Sequence, residues 1–216
     1  MNTLTLRQLT IGPLQENCWL IADTVSGKAV LVDPGDEAEL LLAAVDATGC
    51  SLDGIWLTHA HFDHVGGVAG VIAARPVPIW VHPADEVFYM NAASNAARWG
   101  VEIENPPPAD HELAEGGRVQ LGDFAFDVWH LPGHAPGHVA FIGYGLCFSG
   151  DVLFAGSIGR TDLPLCDAKA MHRSLMRLAT LDPDTRVFPG HGVSTTIGRE
   201  LASNPFLRDG ARPLGA

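Results

Sequence analysis

Thr58-His59-Ala60-His61-Phe62-Asp63-His64 packs three imidazoles and a carboxylate into seven residues directly after an apolar run. Three of the chain's ten histidines fall within six consecutive positions, a density that folding alone does not require. Upstream, Leu52 to Thr58 contains Ile55, Trp56 and Leu57 and predicts a buried strand; downstream, Val65-Gly66-Gly67 predicts a turn or helix entry. The cluster therefore falls on a strand-to-helix connection, where scaffolds commonly carry their chemistry. In extended backbone His59 and His61, two residues apart, point to one side. Asp63 and His64 then turn toward a second point nearby. Neutral imidazoles mixed with a carboxylate suit a borderline or hard divalent cation better than a thiolate-seeking one.

Working outward, the first 33 residues predict a meander of three strands, Leu4 to Thr10, Cys18 to Ala22 and Ala29 to Val32. Asp33-Pro34-Gly35 ends it, and Asp36 with Glu39 three residues on predicts a capped helix from Glu37 to Thr48, closed by Gly49. After the histidine-rich stretch come a small-residue helix (Val65 to Ala74), a strand (Ile79 to Val81) and a helix from Pro83 to Arg98. Asn105 through Gly117 has the composition of a surface connection. The pattern then restarts, with strands Arg118–Leu121, Phe124–Trp129, Val139–Ile142 and Leu146–Phe148, a helix from Ala168 to Leu181 and a strand Arg186–Phe188. Each half runs strands first and then alternates strand and helix. Two similar sheets with helices outside both would bury everything apolar, which predicts one α+β domain over residues 1–216, an αββα sandwich.

Composition narrows the function. With 216 residues, 47% of them hydrophobic, the chain can build a substantial core. Thirteen basic against 25 acidic residues give a net charge of −12, which opposes the phosphate neutralisation that nucleic-acid binding needs. Cys18, Cys50, Cys147 and Cys166 have no C-x-x-C spacing, Met1 to Thr5 has no signal-peptide pattern, and no apolar run approaches a membrane span. A cytoplasmic protein with reduced thiols, no nucleic-acid partner and no membrane partner is expected.

The second half adds polar residues at three strand ends: Leu131-Pro132-Gly133-His134, Ser149-Gly150-Asp151 and Phe188-Pro189-Gly190-His191. Pro-Gly forces an abrupt exit from the sheet, so the following side chain stands at its rim. Together, His59-x-His61-x-Asp63-His64, His134, Asp151 and His191 resemble the metallo-β-lactamase superfamily, from about Gln15 to His191. The resemblance implies the same αββα fold and a binuclear site: His59, His61 and His134 on one metal, Asp63, His64 and His191 on the other, Asp151 bridging. It makes Asp63 and Asp151 the candidate catalytic carboxylates. His134-Ala135-Pro136-Gly137-His138 and Gly150-Asp151-Val152-Leu153-Phe154 are similar to the hydroxyacylglutathione hydrolase (glyoxalase II) branch, in its short bacterial form. That branch's larger members carry a C-terminal helical domain that helps hold glutathione, whereas 25 residues follow His191 here. A glutathione-contacting lysine and tyrosine of that branch would fall at Arg160 and Asp162, and weak glutathione binding is expected.

The implied ligand set dictates the chemistry. Two divalent ions about 3.5–4 Å apart can share a water, lower its pKa toward about 7 and polarise a carbonyl, so a bridging hydroxide would attack an acyl carbon. A small-molecule acyl thioester of the hydroxyacylglutathione type suits such a site, because a thiolate leaves with little acid assistance. Zinc is the expected metal, and the same ligands accept iron or manganese. Arg160 is the candidate substrate-binding residue, for an anionic group, with pairing to Asp162 as the competing reading. Two other functions fit the sequence. Gly159-Arg160-Thr161-Asp162 resembles a segment of persulfide dioxygenases of the same superfamily, which implies one iron on His59, His134 and Asp151; a non-catalytic metal-binding protein is the other. Asp33 ends a strand and either orients a ligand imidazole or only starts a turn. His138 is expected to brace the His134 loop, and His130 to pack near the site without ligating. His82, His111 and His172 are read as a strand end, an exposed loop and a helix face. Cys18 and Cys147 are read as core residues.

Overall fold

The computed structural model describes residues 4–207, so the reading of the extreme N-terminus lies outside the described residues. The first half forms β1 (Thr5–Ile11), β2 (Glu16–Asp23), β3 (Lys28–Val32), α1 (Ala38–Asp46), β4 (Ser51–Trp56), α2 (Phe62–Val65), α3 (Val68–Ala74), β5 (Ile79–Val81), α4 (Glu86–Tyr89), α5 (Ala92–Ala97) and β6 (His111–Glu112). The second forms β7 (Arg118–Leu121), β8 (Phe124–His130), β9 (Val139–Gly143), β10 (Leu146–Gly150), the hairpin of β11 (Leu153–Phe154) and β12 (Ser157–Ile158), α6 (Ala168–Leu178), β13 (Arg186–Pro189), β14 (Thr195–Thr196) and α7 (Ile197–Ser203). One sheet has the order β1-β2-β3-β4-β5-β6, the other β14-β13-β10-β9-β8-β7. In each, an antiparallel meander passes into parallel pairing, at β3–β4 in the first and at β10–β13 in the second.

Strand alternation explains why these runs are apolar throughout. In β2, Trp19 and Ile21 face the second sheet, while Cys18, Leu20 and Ala22 face the outer helices. The inner layer joins Trp19, Val30 and Trp56 to Phe126, Phe141 and Phe148. Outside the first sheet, Leu41 and Val45 of α1 and Val68 and Val71 of α3 cover Leu20, Leu31 and Ile55. Outside the second, Met171, Leu175 and Leu178 of α6 cover Ala140, Cys147 and Val187. The fold is the αββα sandwich expected from the pattern.

Local differences have identifiable causes. The helix expected over 83–98 is a 3-10 turn, Pro83–Asp85, followed by α4 and α5. It breaks at Asn91, whose side-chain amide donates to the Val87 carbonyl at 2.8 Å and takes the acceptor that a continuous helix needs for its backbone. Asp36 does not cap α1: the helix begins after Glu37, in left-handed backbone (φ 47°), and Asp36 accepts from the Glu37 N–H instead. The stretch from Asn105 to Gly117 is more than a connection, because His111–Glu112 adds an edge strand beside β5. His111 lies on that strand, exposed and stacked on Trp80. The β11–β12 hairpin and the β14–α7 unit are elements that the sequence pattern did not give.

Phe148 is fully buried between the sheets, stacked on Phe188 at 5.0 Å and edge-on to Phe126 at 6.0 Å. Phe148→Ala is expected to cost about 3–5 kcal/mol of stability, read as a lowered urea midpoint with an unchanged m-value.

Candidate metal centre

Strand ends and the loops that follow them bring every predicted ligand to one edge of the sandwich. His59 and His61 follow β4, Asp63 and His64 lie in α2, His134 follows β8, Asp151 follows β10 and His191 follows β13. The ligand atoms of His59, His61 and His134 lie within 4.8 Å of one another, and so do those of Asp63, His64 and His191. Asp151 touches both groups: its Oδ2 is 3.5 Å from His134 Nε2 and 3.6 Å from His191 Nε2, and its Oδ1 is 3.5 Å from His64 Nε2. Asp63 Oδ2 lies 3.3 Å from His191 Nε2.

Surrounding groups fix which ring atoms face inward. The Thr58 hydroxyl donates to Asp33 Oδ2 at 2.6 Å, which leaves its oxygen to accept from His59 Nδ1 at 3.1 Å. His64 Nδ1 donates to the same Asp33 oxygen at 3.1 Å, and His134 Nδ1 donates to the Arg160 carbonyl at 2.8 Å. With Nδ1 engaged on all three rings, each Nε2 is directed into the site; on His64 that nitrogen faces Asp151 Oδ1, and although burial would lower this imidazole, Asp151 and Asp63 raise it well above its ordinary range, so a cation bound there would take the place of a proton. His61 Nδ1 then sits 3.1 Å from His59 Nε2 and 2.9 Å from His134 Nε2. Three nitrogens converge on one point. A group of Asp33, His59 and His64 also meets a distance criterion for metal binding. Both Asp33 oxygens, however, are already committed to Thr58 and His64, so Asp33 orients imidazoles and does not complete a third site.

The electrostatics fit a divalent cation. Burial, reinforced by His134, pushes the His61 imidazole down to about 3. Burial and the neighbouring His64 and His61 also drive His59 well below its ordinary range. Both rings are therefore neutral, the state that binds metal. Burial would push the Asp151 carboxyl up, but the imidazoles of His64, His134 and His191 hold it far below the usual range. Asp151 Oδ1 and His64 Nε2 are buried without a hydrogen-bond partner, an expensive arrangement that a bound cation would relieve. Glu16 is buried beneath His64, 3.7 Å from its Nδ1.

Several supporting residues were not legible in the sequence. His138 closes the His134 loop, accepting from Leu131 N at 2.8 Å and meeting the His134 ring at 6.4 Å, and it also braces Asp151: its Nε2 accepts from the Asp151 N–H at 2.9 Å, and its ring stacks on His59 at 4.9 Å. Asp85, which the sequence did not single out, is fully buried. It accepts from Ala60 N at 3.0 Å and Gly137 N at 2.5 Å, tying the His59–His61 loop to the His134 loop. The glycine of each Pro-Gly-His is needed for packing as well as turning. A Cβ at Gly190 would strike Asp151 Oδ1, and one at Gly133 would strike the Met171 backbone. Arg160 reaches the cleft above the site, but its guanidinium is engaged by Asp162 through hydrogen bonds of 2.8 and 2.9 Å. His82 and His130 stack on each other at 4.3 Å, outside the ligand groups. His172 lies half-buried on α6. Cys18 and Cys147 are core residues, and burial pushes the Cys147 thiol up to about 12.

Residues 11–191 match the family model described as the metallo-beta-lactamase superfamily. The chain belongs to that superfamily. Among its relatives, a protein of Haemophilus influenzae named hydroxyacylglutathione hydrolase GloC is 37% identical over 209 residues, 94% of this chain and 98% of the relative. Among solved structures, TTHA1623 in a di-iron-bound form is 51% identical, with a TM-score of 0.87 over 93% of this chain and 100% of that one. BLEG-1, described as a B3 metallo-beta-lactamase, is 38% identical, with a TM-score of 0.88 over 94% and 99%. Superfamily members are mostly metal-dependent hydrolases, and the di-iron form of TTHA1623 and the ligand groups here support divalent metal binding.

The contacts of Asp151 with both ligand groups predict that Asp151→Ala lowers the metal bound per chain, whereas His172→Ala leaves it unchanged, as measured by elemental analysis of chains purified side by side. Asp85→Ala would leave two buried N–H groups unpaired, about 1–3 kcal/mol each, and should lower the urea midpoint.

Proposed function

We propose that this chain is a single-domain, binuclear metal-dependent hydrolase of acyl thioesters, with a hydroxyacylglutathione-type substrate. The observation that carries the reading is the position of Asp151, in reach of both ligand groups at the floor of a cleft of about 440 Å³. The name of the GloC relative supports the substrate class. His59, His61 and His134 would hold one metal and Asp63, His64 and His191 the other, with Asp151 between them. Zinc is our first assignment, and the di-iron form of TTHA1623 makes iron the main competitor. Two divalent ions there would activate a shared water and polarise the thioester carbonyl.

The protein's own groups do the remaining work. Asp63, held below the usual carboxylate range by His64 and His191 in spite of burial, stays ionised at neutral pH. With Asp151 it would hold the metals and could accept a hydrogen bond from the water they activate. Phe88, Phe154 and Leu163 line the walls and keep bulk water from the acyl group. A thiolate with a pKa of about 8.5 departs without a dedicated acid. Arg160 is a candidate contact for a substrate carboxylate, which would have to displace Asp162. With a net charge of −12 and no described helix long and apolar enough to cross a membrane, we assign a small-molecule substrate, no nucleic-acid or membrane partner, and a cytoplasmic location.

The test combines metal analysis of protein purified without added metal with assays on hydroxyacylglutathione, on a short uncharged thioester, on a β-lactam and on a persulfide under oxygen. Close to two ions per chain and thioester hydrolysis that chelation abolishes are expected. One iron with oxygen uptake on the persulfide, β-lactam turnover without thioester turnover, or no turnover at all would overturn the reading.

A further inference from the structure

The cleft above the ligand groups is apolar on both walls. Phe62, Phe88 and Trp99 come to it from the α2-to-α5 segment, Phe154, Ile158 and Leu163 from the β11–β12 hairpin and the loop after it. Two arginines line it, Arg98 and Arg160. They are not equivalent. Arg160 already holds a carboxylate, Asp162, in a two-point pair. A substrate anion arriving there must break one such pair to make another, with little net gain. Arg98, exposed at the C-terminal end of α5, makes no side-chain hydrogen bond or ion pair among the described residues. An anion that reaches it gains a two-point contact and displaces only water.

Trp99, the next residue, is 55% exposed and tilts against Phe62 with ring centroids 6.3 Å apart. An exposed indole beside an unpaired guanidinium, on the rim of a cleft floored by Asp63, Asp151 and the histidines, makes a two-part surface. Through Phe62, which precedes Asp63 in α2, the indole adjoins the segment that carries two of the candidate ligands. In a chain of net charge −12, an unneutralised cation at the mouth also offsets the field that would repel an anionic ligand.

We propose that Arg98 is the anion-recognising residue of this cleft and that Trp99 carries the stretch of ligand leading to it. The ligand class is then a thioester whose thiol carrier ends in a carboxylate, with the sulfur over the ligand groups and the carrier lying across the indole. This rests on the hydrolase reading above for the thioester, but not for the anion.

The experiment separates the two. Calorimetric titration of the metal-loaded protein with S-hexylglutathione, a thioether that carries carboxylates and cannot be hydrolysed at sulfur, is compared with titration by the uncharged hexyl 2-hydroxyethyl sulfide. Arg98→Ala should weaken S-hexylglutathione about tenfold and the uncharged sulfide far less, and Arg98→Lys should recover part of the loss. Added salt should weaken the anionic ligand selectively in the wild type and hardly at all in Arg98→Ala. In turnover, kcat/KM of Arg98→Ala should fall more on hydroxyacylglutathione than on a short uncharged thioester, through KM. Equal weakening of both ligands, unchanged binding, no detectable S-hexylglutathione binding to the wild type, or discrimination carried by Arg160→Ala alone would overturn the proposal. Wild-type binding without any thioester hydrolysis would instead remove the hydrolase reading, and the titrations would still decide on Arg98.

Discussion

Imidazoles and carboxylates can be buried side by side only if each lone pair and each charge is faced by a compensating group, and this structure is built around that requirement. Asp33 meets most of it from below. One carboxylate receives the Thr58 N–H, the Thr58 hydroxyl and His64 Nδ1, and through Thr58 it sets the ring of His59 as well. The Arg160 carbonyl does the same for His134. Once the outward-facing nitrogens are satisfied by the protein, the inward-facing ones meet one another and the carboxylates of Asp63 and Asp151, a gathering of lone pairs and negative charge that calls for positive charge between them.

The two-sheet architecture serves this arrangement. Parallel pairing of β3 with β4 and of β10 with β13 brings strand ends from both halves to the same edge, so residues 132 positions apart, His59 and His191, meet in one cluster. Such an edge must be rigid to hold several nitrogens within a few ångströms. The interlocked aromatic layer of Trp19, Trp56, Phe126, Phe148 and Phe188 supplies the stiffness, and Asp85 and His138 lock the loops above it.

The cleft above the cluster is built from different parts. The ligand cluster is set by strand ends, whereas the cleft walls come from the broken α4–α5 segment and from the loop after β12. A relative named hydroxyacylglutathione hydrolase and one described as a B3 metallo-beta-lactamase share this fold at similar identity. Arg98, Trp99 and Arg160 line the walls of that cleft and stand outside the core clusters.

The sequence by itself determined the layers and singled out the candidate ligands. Unbroken apolar runs in β2, β3 and β10 read as strands covered on both faces, and His59-x-His61-x-Asp63-His64 with three more polar strand ends pointed to a candidate metal-binding edge. Both are local signals, carried by residue type and short spacing. Only the tertiary structure decided that Asp85 is a buried cross-link, that His138 serves Asp151, that Arg160 is paired while Arg98 is not, and that the helix expected over 83–98 breaks at Asn91 to form a cleft wall. Each of these depends on which distant group occupies a hydrogen-bonding position, Gly137 for Asp85, Asp162 for Arg160 and the Val87 carbonyl for Asn91. A carboxylate, an imidazole or a guanidinium looks the same in sequence whether that partner is another part of the chain or water.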